Sequence, residues 1–137
     1  MKPLASGLCC LLLASACGDG GSHFGGGTTE VVTAGQGTLV VDWTIDGSKD
    51  PGECQQGAAT ALDVTVQSSS GESHEYQADC DAFSTSIDLP PDSYTATAVL
   101  IDGAGDDRTT PIDIDTFHVH DGEVFTTPID FPAGSFR

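Results

Sequence analysis

The sequence predicts an all-β fold, an antiparallel two-sheet sandwich of six or seven strands, and three observations carry that reading. From Thr38 onward, segment after segment alternates apolar and polar residues with a period of two. Clusters of Gly, Pro, Asp and Ser separate these segments at intervals of about ten residues. No segment repeats its apolar residues with a helical period, so the short strands are left to bury their faces against one another in two layers. A small open barrel is the competing architecture.

The first strand is Thr38 to Asp46, with Leu39, Val41, Trp43 and Ile45 on its apolar face. Asp46 to Gly52 is a loop by composition and delivers Cys54. Leu62, Val64 and Val66 mark a second strand, His74 to Ala78 a third, and Phe83, Thr85, Ile87 and Leu89 a fourth. Pro90 and Pro91 then fix the backbone ahead of the central strand, Tyr94 to Ile101. Tyr94, Ala96, Ala98 and Leu100 share one of its faces, and the other, Thr95 to Ile101, becomes apolar towards its end, so this strand is expected to be covered on both sides. In Ile112 to Val119 the alternation slips by one residue between Ile114 and Phe117, the mark of a β-bulge. Asp121-Gly122 is a turn, and Pro128 marks the last strand, Val124 to Phe131, as an edge strand or an irregular one.

The chain has 137 residues, of which 21 are acidic and 4 basic, a net charge of −17. All 21 acidic residues lie beyond position 17, whereas Lys2 lies before it, so loss of a leader leaves 3 basic residues and a charge of −18. Lys49, Arg108 and Arg137 are too few to neutralise a phosphate backbone, which excludes nucleic acid as a partner. The chain contains no Asn and therefore no Asn-linked glycosylation acceptor.

Met1 to Ala16 combines Lys2, an apolar run and the small residues Ala14-Ser15-Ala16, the pattern of a secretory signal too short to span a bilayer stably. The segment Leu13-Ala14-Ser15-Ala16-Cys17 resembles the lipobox of bacterial lipoproteins. The resemblance implies that Cys17 is lipidated and becomes the first residue of the mature chain. Gly18 after it resembles lipoproteins sorted to the outer membrane. The alternative is an ordinary signal peptide cleaved nearby, with Cys17 a free thiol. Gly18 to Gly37 holds eight glycines in twenty residues, a tether spanning about 25 Å root-mean-square; Glu30 to Thr33 adds a short edge strand. The expected organisation is a signal peptide over 1–16, a lipidated cysteine and glycine-rich linker over 17–37, and the sandwich over 38–137.

The turn Leu89-Pro90-Pro91-Asp92-Ser93-Tyr94-Thr95-Ala96 resembles the Leu-x-Pro-Gly-x-Tyr-x-Val pattern of prealbumin-like and carboxypeptidase-regulatory-like sandwich domains, with Asp92 where that family commonly has Gly. The resemblance implies an immunoglobulin-like or prealbumin-like accessory domain with no catalytic residues to carry over.

Cys54 and Cys80, 26 positions apart in an exported chain, are expected to form a disulfide worth about 3 kcal/mol in the chain-entropy model. Glu53, Asp79 and Asp81 flank them and raise a thiol pKa, which argues against a reactive cysteine. His118 and His120 share a strand face, where His74 or Asp121 could complete a zinc site, but the plainer reading is two solvent-facing histidines. Asp102, Asp106 and Asp107 place three carboxylates in one loop, the hard ligands calcium prefers, but without the EF-hand pattern a solvated turn is the plainer reading. Asp42, Asp46, Asp50 and Glu53 read as a charged outer surface that keeps a sheet from pairing with neighbours. The chain holds no Gly-x-Ser-x-Gly, phosphate-cradling glycine loop or His-Glu-x-x-His, so no catalytic residue, cofactor or metal is assigned.

These observations predict a cell-envelope lipoprotein held to the membrane through Cys17, its acidic sandwich a non-catalytic binding or structural module for a protein or glycan partner. The alternatives are a calcium- or carbohydrate-binding surface domain, using the acidic loops with Trp43 or Tyr76 as a stacking platform, and a small secreted hydrolase. Trp43 alternates with Leu39 and Val41, which favours a place in the core.

Overall fold

Alternation in the sequence becomes alternation in space. The computed structural model describes residues 35–137; the expected signal peptide, Cys17, most of the linker and the short strand at Glu30–Thr33 lie outside the described residues. Seven strands follow in order: β1 (Gly37–Ile45), β2 (Ala61–Ser68), β3 (Ser73–Asp79), β4 (Ser84–Leu89), β5 (Asp92–Ile101), β6 (Ile112–Val119) and β7 (Val124–Phe131). They form a three-stranded sheet, β4-β1-β7, packed on a four-stranded sheet, β3-β2-β5-β6. The fold is thus the all-β, two-sheet sandwich that the sequence predicts. No helix among the described residues is long and apolar enough to cross a membrane.

β1 buries every second residue without a break, and β2 buries Leu62, Val64 and Val66. Those residues meet Tyr94, Ala96, Ala98 and Leu100 of β5 and Ile114, Phe117 and Val119 of β6 in a single core. The expected bulge in β6 lies between Ile114 and Phe117, where the pairing with β5 shifts between Tyr94 and Ala96. Asp115 and Thr116 both face solvent there, so one extra residue keeps Phe117 and Val119 pointing inward. Tyr94 donates its hydroxyl hydrogen to the carbonyl of Pro90 at 2.6 Å, fixing the double-proline turn to the strand it starts. Thr109, fully buried, does the same for the loop after β5: its Oγ1 accepts from the amide of Leu100 at 3.0 Å.

Three expectations are corrected. First, β1 and β7 pair in parallel, whereas every other pair is antiparallel. Parallel neighbours need a long crossover, and here the rest of the domain supplies it. Second, β5 is covered on one side only: Thr95 is exposed and Thr97 and Val99 half-buried, and only Ile101 at its end is buried on the second face. Third, part of the supposed loop before Cys54 is a helix, α1 (Pro51–Gln56), so Cys54 sits in a helix. Asp50 caps it by accepting from the amide of Gly52 at 2.9 Å, Pro51 occupies the first turn and Glu53 adds a carboxylate at the positive end. The strand order itself, which the sequence left open, differs from the immunoglobulin constant arrangement, in which the first, second, fifth and fourth strands share one sheet.

The register gives the sandwich two distinct ends. Gly37 lies opposite Leu89, and Thr38 opposite Val124, so the chain enters beside the β4–β5 and β6–β7 turns. A side chain at Gly37 would lie 2.4 Å from the carbonyl of His120, which makes glycine the residue that fits this entrance. The far end carries α1, the loop after β5 and the carboxy-terminal residues. Gly57 is needed there because a Cβ would lie 2.0 Å from the ring of Phe136. Arg108 closes the same end, its Nε donating to the carbonyl of Gly57 at 3.0 Å.

Candidate functional site

The structure spends most of the sequence-derived candidates on its own architecture. Cys54 and Cys80 are bonded, with Cα atoms 6.1 Å apart, and tie α1 to the 3-10 turn Cys80–Ala82 that follows β3. Trp43 is fully buried, and its indole Nε1 donates to the carbonyl of Cys80 at 3.0 Å. It therefore offers no stacking platform, and Tyr76 is half-buried against the core.

The histidines separate. His118 and Ser93 are cross-strand partners on the exposed face, with Nδ1 and Oγ 2.7 Å apart. His74 lies on β3, with β2 and β5 between it and β6. Among the described residues no three His, Cys, Asp or Glu side chains stand close enough to share a metal ion. A serine–histidine pair gains nucleophilic character when a third group orients the base. No such hydrogen bond to His118 occurs among the described residues.

In the acidic loop, Asp102 turns its carboxylate onto its own backbone. Oδ1 accepts from the amides of Ala104 at 2.9 Å and Asp106 at 3.0 Å. These bonds, led by that of Asp106, hold its pKa below the ordinary 3.8. Asp92 behaves alike at the opposite end, held low first by the hydroxyl of Ser69 and then by the amide of Ser93. A lowered folded pKa means that the carboxylate contributes stability above its unfolded value and loses it as pH falls through the folded value. The expected result is a difference in urea midpoint between the native chain and Asp92→Asn/Asp102→Asn that is constant near neutrality and shrinks only below pH 3.8. A difference that stays level into stronger acid would overturn this account of the two loops.

In the remaining acidic group one carboxylate is bonded to the backbone and the others stand on the surface of turn, helix and strand. Asp50 caps α1, and Asp46 forms a tight turn with Gly47 at positive φ, closed by Ile45 and Ser48. Asp42 stays half-buried on the outer face of β1.

What the sequence did not assemble is the groove along the side where β6 and β7, the edges of the two sheets, come together. It encloses about 420 Å³. Ile112, Ile114, Phe125 and Ile129 supply hydrocarbon, and Asp113, Asp115 and Asp130 supply carboxylates. Among the described residues no cationic side chain lines it. Val124 and Phe125 beside it are the exposed large apolar residues of the described chain, at 64% and 37%. The ring of Phe125 stacks on Phe117 at 4.9 Å, and Phe117 on Tyr94 at 5.8 Å, so an aromatic row links the groove to the core. Asp113 accepts from Thr97 Oγ1 at 3.3 Å, and Asp130 accepts from Thr44 Oγ1 at 2.6 Å and from the amide of Gly47 at 2.8 Å. Those bonds hold the rim in place. The signals for this groove were the slip in β6 and Pro128 in β7, each of which marks an edge. That the two edges flank one another is a property of strand order alone. A comparison with known protein families finds no family model that matches the chain, and no curated protein matches its sequence.

Proposed function

We propose that this chain is a lipid-anchored protein of the bacterial cell envelope, directed to the outer membrane, whose sandwich acts as a non-catalytic binding or structural module. The observation that carries the reading is the segment Leu13-Ala14-Ser15-Ala16-Cys17, followed by glycine-rich chain up to Gly37. The Cys54–Cys80 bond supports it, because disulfides persist in oxidising compartments outside the cytosol. The finer reading of the domain is prealbumin-like, from the Leu89 to Ala96 resemblance, since the strand order departs from the immunoglobulin one.

The groove between β6 and β7 supports a binding role. It pairs hydrocarbon with carboxylate on a surface formed by two strand edges that have no partner among the described residues. Mass measurement of the membrane-extracted protein tests the anchor. The amino-terminal peptide is expected to begin at Cys17 with a lipid adduct, and Cys17→Ser is expected to release the chain from membranes. An unmodified, freely soluble native chain would remove the lipoprotein reading.

A further inference from the structure

We infer that the groove between β6 and β7 docks an extended segment of a partner polypeptide, one that alternates apolar with lysine or arginine side chains and adds itself as a strand beside β7. The inference rests on reading the domain as a binding module and names the chemistry of what it binds.

Backbone direction supplies the first argument. The carbonyl of Phe131 accepts from the amide of Asp46 at 2.9 Å, and that of Glu123 from the amide of Thr38 at 2.8 Å. Backbone groups alternate sides along a strand, so Phe125, Thr127, Ile129 and Phe131 serve β1. Thr126, Pro128 and Asp130 therefore turn theirs to the open edge. Pro128 sits where no N–H is asked for by β1, and its carbonyl stays free to accept. The edge thus offers the amides of Thr126 and Asp130 and three carbonyls, the hydrogen-bonding row that strand addition uses.

Side chains give the second argument. Alternate residues of an added strand would lie beside Phe125 and Ile129, and the residues between them, turned to the opposite face, would stand beside Asp130. The described chain places no cation in the groove, so a partner's lysines or arginines complete the charge. A second copy of this chain fits poorly, because a protein of net charge −17 would bring its own carboxylates against these.

The test titrates the purified whole chain with a blocked peptide of alternating lysine and valine long enough to span β7. Comparison peptides alternate lysine with glycine and glutamate with valine. Hydrogen exchange read by mass spectrometry is expected to show protection gained across 124–131 with the lysine–valine peptide and none with the glutamate–valine one. Asp130→Asn, which keeps an oxygen to accept from Thr44 and Gly47 while removing the charge, is expected to weaken binding about two- to fivefold. Three results would overturn the inference: equal binding of the lysine–glycine peptide, protection centred on Asp102 to Asp107, or a dimer of the free chain that protects the same residues. The lipid adduct at Cys17 is measured separately. A lipidated chain that ignores the peptide ends this inference and leaves the envelope reading standing. A soluble, unmodified chain that binds it does the reverse.

Discussion

Replacing Trp43 by alanine is expected to lower the free energy of unfolding by about 3–5 kcal/mol, the range for deleting a large aromatic from a core. Trp43 stands in β1, the middle strand of its sheet, and is fully buried. Its ring lies 6.2 Å from that of Phe83, whose left-handed backbone, φ 56°, turns the chain from the 3-10 segment into β4. The main chain adds a bond from the amide of Trp43 to the carbonyl of Phe83 at 3.1 Å. A domain of this size holds only about 5–15 kcal/mol in total, so the alanine variant is expected to sit close to its unfolding threshold. Trp43→Phe separates volume from hydrogen bonding. It keeps most of the ring but leaves the carbonyl of Cys80 without its indole donor, at a cost of about 1–3 kcal/mol. Urea unfolding followed by far-ultraviolet circular dichroism measures both. An alanine variant within about 1 kcal/mol of the native chain would place Trp43 outside the core, well below the range for such a deletion.

Trp43 also shows how far the sequence could be read. Its alternation with Leu39, Val41 and Ile45 placed it in the core, and the same period of two located each of the seven strands. Even the bulge was legible, because inserting one residue between Ile114 and Phe117 is the way to keep both inward. α1 was missed because six residues are too few to display a helical period. Its signal was local instead: Asp50, Pro51 and Glu53 fit an N-cap, a first-turn proline and an acidic first turn. The second face of β5 was misjudged because Val99 read as buried along with Ile101, and neither hydropathy nor period says whether a second layer exists to cover it.

The site was less legible than the fold. The acidic loop reads first as a solvated turn and second as a calcium site, and Asp50, Asp92 and Asp102 each bond a nearby backbone amide. With no Asn in the chain, aspartate does the turn-making and capping that the two residues usually share. Much of the negative charge is therefore architectural in origin. The groove depends on β6 and β7 ending their respective sheets side by side, and pairing between distant strands leaves no trace in local patterning.

Reducing the Cys54–Cys80 bond, or replacing both cysteines by alanine, is expected to cost about 3 kcal/mol through the freedom restored to the unfolded chain. The loss is also expected to appear locally. α1 has six residues, far below the length at which a helix holds alone, and the bond is what fastens it to the segment after β3. Hydrogen exchange across 51–57 should therefore rise more than exchange in the central strands β2 and β5. Coupling to Trp43 is the sharper measurement, because the carbonyl that Trp43 bonds belongs to Cys80 itself. With the bond intact, Trp43→Phe strands that carbonyl in a buried position. Once the bond is gone the Cys80 segment can move outward and hydrate it, so the same substitution should cost less. The combined variant is expected to be more stable than the sum of the separate losses predicts, by about 0.5 kcal/mol or more. Additivity within about 0.3 kcal/mol would show instead that the disulfide and the indole support the far end of the sandwich independently.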